Sequence, residues 1–261
     1  MAPGNFGWAP RRDRTRLLRG WTLGRGWSIR DAQGAERQAD TSDLLDLGAA
    51  YRGTDGRQRI KMSHRRPFVV GIGGTTEVGS STEHALRLAL AAAETSGAET
   101  RMFDGAELSA LPHYRKGAQG GQALVDAVRR ADGVILASPG YHGSISGLVK
   151  NAIDYLEETA KDERVYLDGV PVGLIATAYG WQAGGNTVAT LRSIAHALRA
   201  WPTPLGACIN VSGRILHDGV CDDAYAALQL ALVGRQVVQF VRMRLGAEAA
   251  IANGVSAVGP V

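Results

Sequence analysis

Three short stretches hold residue types and spacings that could do chemistry, and all three suit binding better than nucleophilic attack. The first is Val69-Val-Gly-Ile-Gly-Gly-Thr-Thr-Glu-Val-Gly-Ser-Ser-Thr82. An apolar run breaks at Gly73-Gly74, offers hydroxyls at Thr75, Thr76, Ser80, Ser81 and Thr82, and opens into the amphipathic segment Glu83–Ala93. That order reads as a buried strand, a tight loop and a helix N-terminus. Such a junction suits a phosphate, because unpaired N–H groups of the first helical turn point outward with the positive end of the helix dipole behind them. The plainer reading is capping alone, since many strand-to-helix turns use Gly and Ser for that purpose.

The second stretch is Pro139-Gly140-Tyr141-His142-Gly143, followed by Ser144–Asp154. Pro139 fixes φ and stops a strand, and Gly140 and Gly143 let backbone come close to a flat ligand. Free N–H and C=O groups there could satisfy the donor-acceptor edge of a ring. The competing reading is a strand-to-helix loop with Ser146 as the helix cap, and His142 serves either as a polar wall or as a general acid. The third stretch is Tyr179-Gly180-Trp181-Gln-Ala-Gly184-Gly185, which suggests a flat face lined by aromatic rings and backbone. A surface turn with Trp181 packed on a neighbour is the alternative. No Gly-x-Ser-x-Gly elbow is present, and no catalytic side chain is assigned. Cys208 and Cys221, the only cysteines, have neither metal-ligand spacing nor a disulfide framework and read as inert thiols in a reducing compartment.

These stretches must be held by the elements around them, and from Pro67 onward the pattern is regular. Strands are expected at Phe68–Gly73, Glu99–Asp104, Gly133–Ser138, Pro171–Thr177 and Leu205–Val211. Helices are expected at Ser80–Ser96, Gln119–Arg130, Gly147–Glu158, Thr187–Arg199 and Asp222–Leu245. Alternation of this kind means parallel βαβ units with helices on both faces. The fold class expected is α/β: a doubly wound five-stranded parallel sheet of order 2-1-3-4-5. In such sheets ligands sit at the carboxyl ends of the strands, where the order reverses, so the three stretches should converge.

Residues 1–61 differ. They carry 12 Lys+Arg against 7 Asp+Glu, whereas 62–261 carry 17 against 18, so the net +4 belongs to the first segment. That excludes a charge argument for nucleic-acid binding by the folded body. No window approaches the ~20 apolar residues of a membrane span. Arg11-Arg12 is not followed by the apolar stretch of an export signal. Beyond a short helix at Thr41–Ala50, residues 1–61 show no sustained period. They could be a basic disordered arm, a small subdomain or an extension upstream of Met62, and are read as a poorly packed segment. The division expected is a Gly/Arg/Trp-containing extension (1–61), a ligand-binding domain (62–249) and a tail (250–261).

Pro139-Gly-Tyr-His-Gly-Ser-Ile-Ser-Gly-Leu-Val-Lys-Asn-Ala-Ile-Asp154 resembles the Pro-Glu-Tyr-Asn-Gly-Ser-x-x-Gly-x-Leu-Lys-Asn-Ala-Ile-Asp run of the NAD(P)H-dependent FMN reductases, a flavodoxin-like family. Gly140 and His142 replace its Glu and Asn. Gly74, Thr75, Gly79, Ser80 and Thr82 fall on the fixed places of the family's first loop. The resemblance spans about residues 66–215. It implies FMN held by Gly74, Thr75, Thr76, Ser80, Ser81, Thr82, Pro139, Gly140, Tyr141, His142, Gly143, Tyr179, Gly180, Trp181 and Gly184. It further implies NADH or NADPH as co-substrate and a flavin, quinone or other small molecule as acceptor. A homodimer or homotetramer, a monooxygenase receiving reduced flavin and a cytoplasmic location go with it. A non-enzymatic electron carrier, or a binding module that has lost flavin, are the alternatives; such carriers are typically acidic, and 62–261 is near neutral. One departure stands out: Glu77 occupies the place where the family often has an arginine beside the phosphate, and a carboxylate turned inward there would repel a dianion.

Overall fold

Apolar runs too continuous for a one-sided sheet become the central strands of the molecule. β4 (Phe68–Gly73), β6 (Gly133–Tyr141) and β8 (Pro171–Ala178) are buried along nearly their whole lengths, as strands covered on both faces must be. β5 (Glu99–Phe103) and β9 (Trp201–Asn210) alternate in exposure and form the two edges. All pairings are parallel in the order β5-β4-β6-β8-β9, the 2-1-3-4-5 arrangement expected. This computed structural model describes residues 17–22, 26–30, 36–38, 65–117, 119–217 and 220–252, the first three spans as backbone only.

Successive strand residues face opposite layers. Val70, Ile72, Val134, Leu136, Val172 and Leu174 join a core with α3 (Gln122–Arg130), α4 (Gly147–Asp154) and α5 (Trp181–Ala197). The intervening positions face α1 (Ser81–Thr95) and α6 (Ala224–Ala252), and here glycine sets the spacing. A Cβ on Gly133 would stand 2.5 Å from Val237, one on Gly173 2.6 Å from Val233, and one on Gly71 2.7 Å from Leu90. The helices lie so close to the sheet that only a missing side chain permits it. Where α1 and α6 cross, a Cβ on Gly234 would meet the Ala89 carbonyl at 2.0 Å.

The remaining elements are small. α2 (Gly105–Ser109) is capped by Asp104 and lies in the loop expected over 105–118. A 3-10 turn (Tyr155–Thr159) ends the helix expected to reach Glu158. β7 (Ser144–Ile145) folds back on β6, and β10 (Leu216–His217) pairs with β11 (Val220–Cys221). Among the described residues no helix is long and apolar enough to cross a membrane.

Residues Met1–Gly53 form a compact unit of their own, the second being Thr54–Val261. In the first, β1 (Leu17–Thr22), β2 (Gly26–Arg30) and β3 (Glu36–Gln38) make an antiparallel sheet in chain order. The sequence suggested no strand there. The register shift between Arg19 and Trp21 accounts for the miss, because a bulge interrupts the two-residue period by which a strand is recognised. The helix expected at Thr41–Ala50 lies outside the described residues, as do 253–261 of the expected tail; its first residues belong to α6, which runs on from Leu245 to Ala252.

Candidate active site

The carboxyl ends of β4, β6 and β8 open into one cleft of about 660 Å³. Its floor is polar and tied across elements: the Thr82 and Thr177 hydroxyls share a hydrogen bond of 2.6 Å, joining the first turn of α1 to the end of β8. Both residues are buried.

The first wall is the loop from β4 to α1. Gly74, at φ +141°, presses against the start of α2, where a Cβ would meet the Gly105 nitrogen at 2.6 Å. That close approach is open to glycine alone and fixes where the loop departs from the sheet. Thr75 Oγ1 accepts from the Glu77 N–H at 3.1 Å and turns the chain. Ser80 caps α1 by accepting from the Glu83 N–H at 3.3 Å, while Glu83 accepts from the Gly79 N–H at 3.3 Å. With those groups satisfied, the Ser81 and Thr82 N–H groups remain as first-turn donors without an intrahelical partner. Thr75, Ser80, Ser81 and Thr82 line the cleft, together with Glu77, Val78 and Gly79. Gly74 and Thr76 do not.

The second wall is the end of β6. Pro139, Gly140 and Tyr141 line the cleft. His142 and Gly143, at φ +51° and +84°, form the two-residue tip of a tight hairpin in which Tyr141 pairs with Ser144. Two left-handed central residues make this a hairpin turn of the primed kind, so the expected loop is a ribbon whose tip stands outside the cleft. Its base is pinned. Ser138 Oγ accepts from the Ser146 N–H at 3.0 Å, Ser146 caps α4, and a Cβ on Gly140 would lie 2.7 Å from Thr187 Oγ1.

The third wall departs most from expectation. Tyr179 lines the cleft, but Trp181 to Gly185 are the first turns of α5, which was expected to begin at Thr187. Two adjacent glycines read as a loop; here Gly184 is a packing residue, since a Cβ would stand 2.3 Å from Cys208 Sγ on β9. Gly180, Trp181 and Gly184 therefore lie outside the cleft lining. Val78, Tyr141, Tyr179 and Trp181 form an exposed apolar rim, Tyr179 being 83% and Trp181 63% accessible.

A fourth wall has no counterpart in the sequence reading. Val211, Arg214, Leu216 and His217, from the end of β9 and from β10, close the cleft against His84 of α1. The signal that could have found it is Asp218-Gly219 between Leu216-His217 and Val220-Cys221, a two-residue hairpin signature. His217 Nε2 lies 2.8 Å from Asp222 Oδ2.

The family described as NADPH-dependent FMN reductase matches residues 67–211. An FMN-dependent NADPH-azoreductase of Staphylococcus aureus is 30% identical over 179 residues, covering 64% of this chain and 92% of that protein. One of Staphylococcus saprophyticus is 36% identical over 125 residues, covering 46% of this chain and 62% of that protein. Among solved structures, the flavoenzyme NAD(P)H:(acceptor) oxidoreductase FerB from Paracoccus denitrificans aligns with a TM-score of 0.54 at 21% identity, over 67% of this chain and 97% of the other. The apo form of the NADH:FMN oxidoreductase EmoB aligns with a TM-score of 0.51 at 22% identity, over 68% and 89%. At that level of identity the two likenesses show a shared fold.

Proposed function

The chain belongs to the NADPH-dependent FMN reductase family, and from that premise we propose how its cleft carries the reaction. The protein is an NAD(P)H-dependent oxidoreductase with FMN as cofactor and a small molecule as electron acceptor. FMN, when bound, supplies the chemistry, accepting hydride from the nicotinamide and handing electrons on. The residues bind, orient and exclude water.

The donor set fits that cofactor. The first-turn amides of α1 and the hydroxyls of Thr75, Ser80 and Ser81 would take the phosphate, as the positive helix end favours an anion. Pro139, Gly140 and Tyr141 on one side and Tyr179 on the other would hold the flat ring system, with His142, Gly143, Gly180 and Trp181 beyond its edge. A Cβ on Gly143 or Gly180 would meet nothing within 4 Å, so backbone there is open to approach. Gly74 and Gly184 act behind the cleft by setting its walls, and Thr76 stands on the solvent side. No side chain is assigned a proton-transfer role. The observation that carries this reading is the meeting of a hydroxyl-rich helix N-terminus and two tyrosine-bearing strand ends in one cleft.

We assign flavin binding to residues 62–249 and read residues 1–61 as dispensable for it; a chain beginning at Met62 should stay yellow. The exposed rim of Val78, Tyr141, Tyr179 and Trp181 supports a homodimer or homotetramer in which a partner covers the ring system, which light scattering would report. A nicotinamide donor supports a cytoplasmic location, and released reduced flavin could serve a monooxygenase. The test is direct: purified protein should show flavin absorbance and oxidise NADH or NADPH with azo dyes, quinones or free flavin as acceptors. A colourless protein that binds no added FMN would overturn the reading.

A further inference from the structure

We propose that Arg214, on the turn after β9, is the cation of the FMN phosphate site and takes the role that Glu77 leaves vacant on the loop after β4. The proposal rests on the reading that this cleft binds FMN. A phosphate dianion held by amides and hydroxyls alone is neutralised by dipoles only, and beside Glu77 it also meets a like charge. Among the described residues, Arg214 is the one Lys or Arg that lines the cleft, and Glu77 the one Asp or Glu.

Position and availability support the assignment. β10 packs against α1, and Leu216 and Arg214 line the same cleft as Ser80, Ser81 and His84. The turn after β9 is thereby brought to the helix N-terminus that would receive the phosphate. Neighbouring cations are committed elsewhere. Arg87 of α1 lies 2.7 Å from Glu83 and 3.6 Å from Asp104. His217 already faces Asp222. The Arg214 guanidinium, by contrast, makes no hydrogen bond or ion pair among the described residues, so its donors are available as a fork for phosphate oxygens.

Backbone conformation adds an independent argument. Arg214 sits at φ +49°, in the left-handed region, with its N–H donating to the Val211 carbonyl at 3.2 Å. A turn that merely reversed the chain would be served at lower cost by Gly or Asn. An arginine kept in a strained position with an uncommitted side chain points to a ligand for that side chain.

The experiment is titration of the full-length apoprotein with FMN and with riboflavin, which lacks the phosphate, at two ionic strengths. Wild type, Arg214→Asn and Arg214→Lys are compared. Asn tolerates the left-handed conformation, so the apoprotein's melting temperature should hold or rise. FMN affinity of Arg214→Asn should fall about tenfold, the worth of an exposed charge-assisted contact, and the loss should shrink as salt rises. Riboflavin affinity should stay within about twofold, inside the scatter expected of a surface substitution. Arg214→Lys should recover part of the FMN affinity, since it restores the charge but not the fork. Unchanged FMN affinity, or equal losses for both flavins, would overturn the proposal while leaving flavin binding intact. A wild-type protein that binds neither flavin would overturn the functional reading and the proposal together.

Discussion

Glu77 offers a graded perturbation, because Gln removes its charge and Arg inverts it. Its backbone is held in place by Thr75, whose Oγ1 accepts the Glu77 N–H and lies 3.3 Å from its carbonyl, so substitution changes the charge without moving the loop. A phosphate at the first turn of α1 would stand ~7 Å from that side chain, and at an effective dielectric of ~60 two unit charges there interact by ~0.8 kcal/mol. A phosphate ester carries about −1.5 to −2 charges near neutral pH, while screening across roughly one Debye length removes about half of the energy. Each unit of charge should therefore change FMN binding by about 0.5–1 kcal/mol. Glu77→Gln should tighten FMN by roughly threefold and Glu77→Arg by roughly tenfold, with riboflavin nearly unaffected. Apoprotein titration at two salt concentrations measures this, and hydride transfer rates should stay the same. Two equal steps are the signature of a charge acting at a distance. A full effect already at Gln, or none at Arg, would refute the reasoning and assign Glu77 a packing or solvent role. Combined with Arg214→Asn, the Glu77→Gln gain should persist, since the two charges act on the phosphate separately.

Three further outcomes follow from the packing. Thr177→Val should destabilise the fold by about 1–3 kcal/mol in urea, because the buried Thr82 hydroxyl loses its partner; replacing both threonines by Val should cost less than either single change. Gly184→Ala should cost about 1–3 kcal/mol by driving α5 off β9, since the new methyl would meet Cys208 Sγ at 2.3 Å. Burial pushes the Cys221 thiol up to about 11 from an ordinary 9.0. The folded state thus holds that proton more tightly than the unfolded chain, and the stabilisation is whole below pH 9 and lost as pH rises toward about 11. Cys221→Ala should flatten the urea midpoint across that window relative to wild type.

Strand order was legible because the signals that set it are local. Runs such as Val69–Ile72 and Val134–Ala137 leave no polar face, so they must be buried on both sides, and alternation with helices then permits few topologies. The hydroxyl-rich loop was legible for the same reason: cap, glycine and helix start all lie within ten residues. Errors cluster where a glycine served packing instead of a turn. Gly184 looked like loop punctuation, yet the α5 backbone passes too near Cys208 for any side chain, and that distance depends on a strand not yet reached in the chain. His142-Gly143 shows the converse: a pair that reads as part of an open loop forms the tip of a tight hairpin, because Tyr141 pairs with Ser144.

The charge of the cleft shows where local reading stops. Taken alone, Gly71–Thr82 contains one carboxylate and no cation, and argues that this chain handles a phosphate poorly. The folded cleft sets Arg214 among the same lining residues, a cation on the wall opposite that carboxylate. Net charge in a site belongs to the closed surface, whereas a motif samples one wall of it. A family position that has lost its arginine is then weak evidence for a lost ligand until the opposite wall is known. Here the opposite wall is a hairpin whose own signature, Asp218-Gly219, says that the chain turns but not what it turns toward. Its placement beside α1 is fixed by burial of Leu216, an apolar contact that positions the charge without taking part in its chemistry. The sequence that decides where Arg214 stands is thus its packing neighbour, and substitutions at Leu216 should alter FMN affinity in the same direction as removal of the guanidinium. Leu216→Ala would test that link: a selective loss of FMN over riboflavin would tie the hairpin's packing to the phosphate, and an equal loss would tie it to the flavin cleft as a whole.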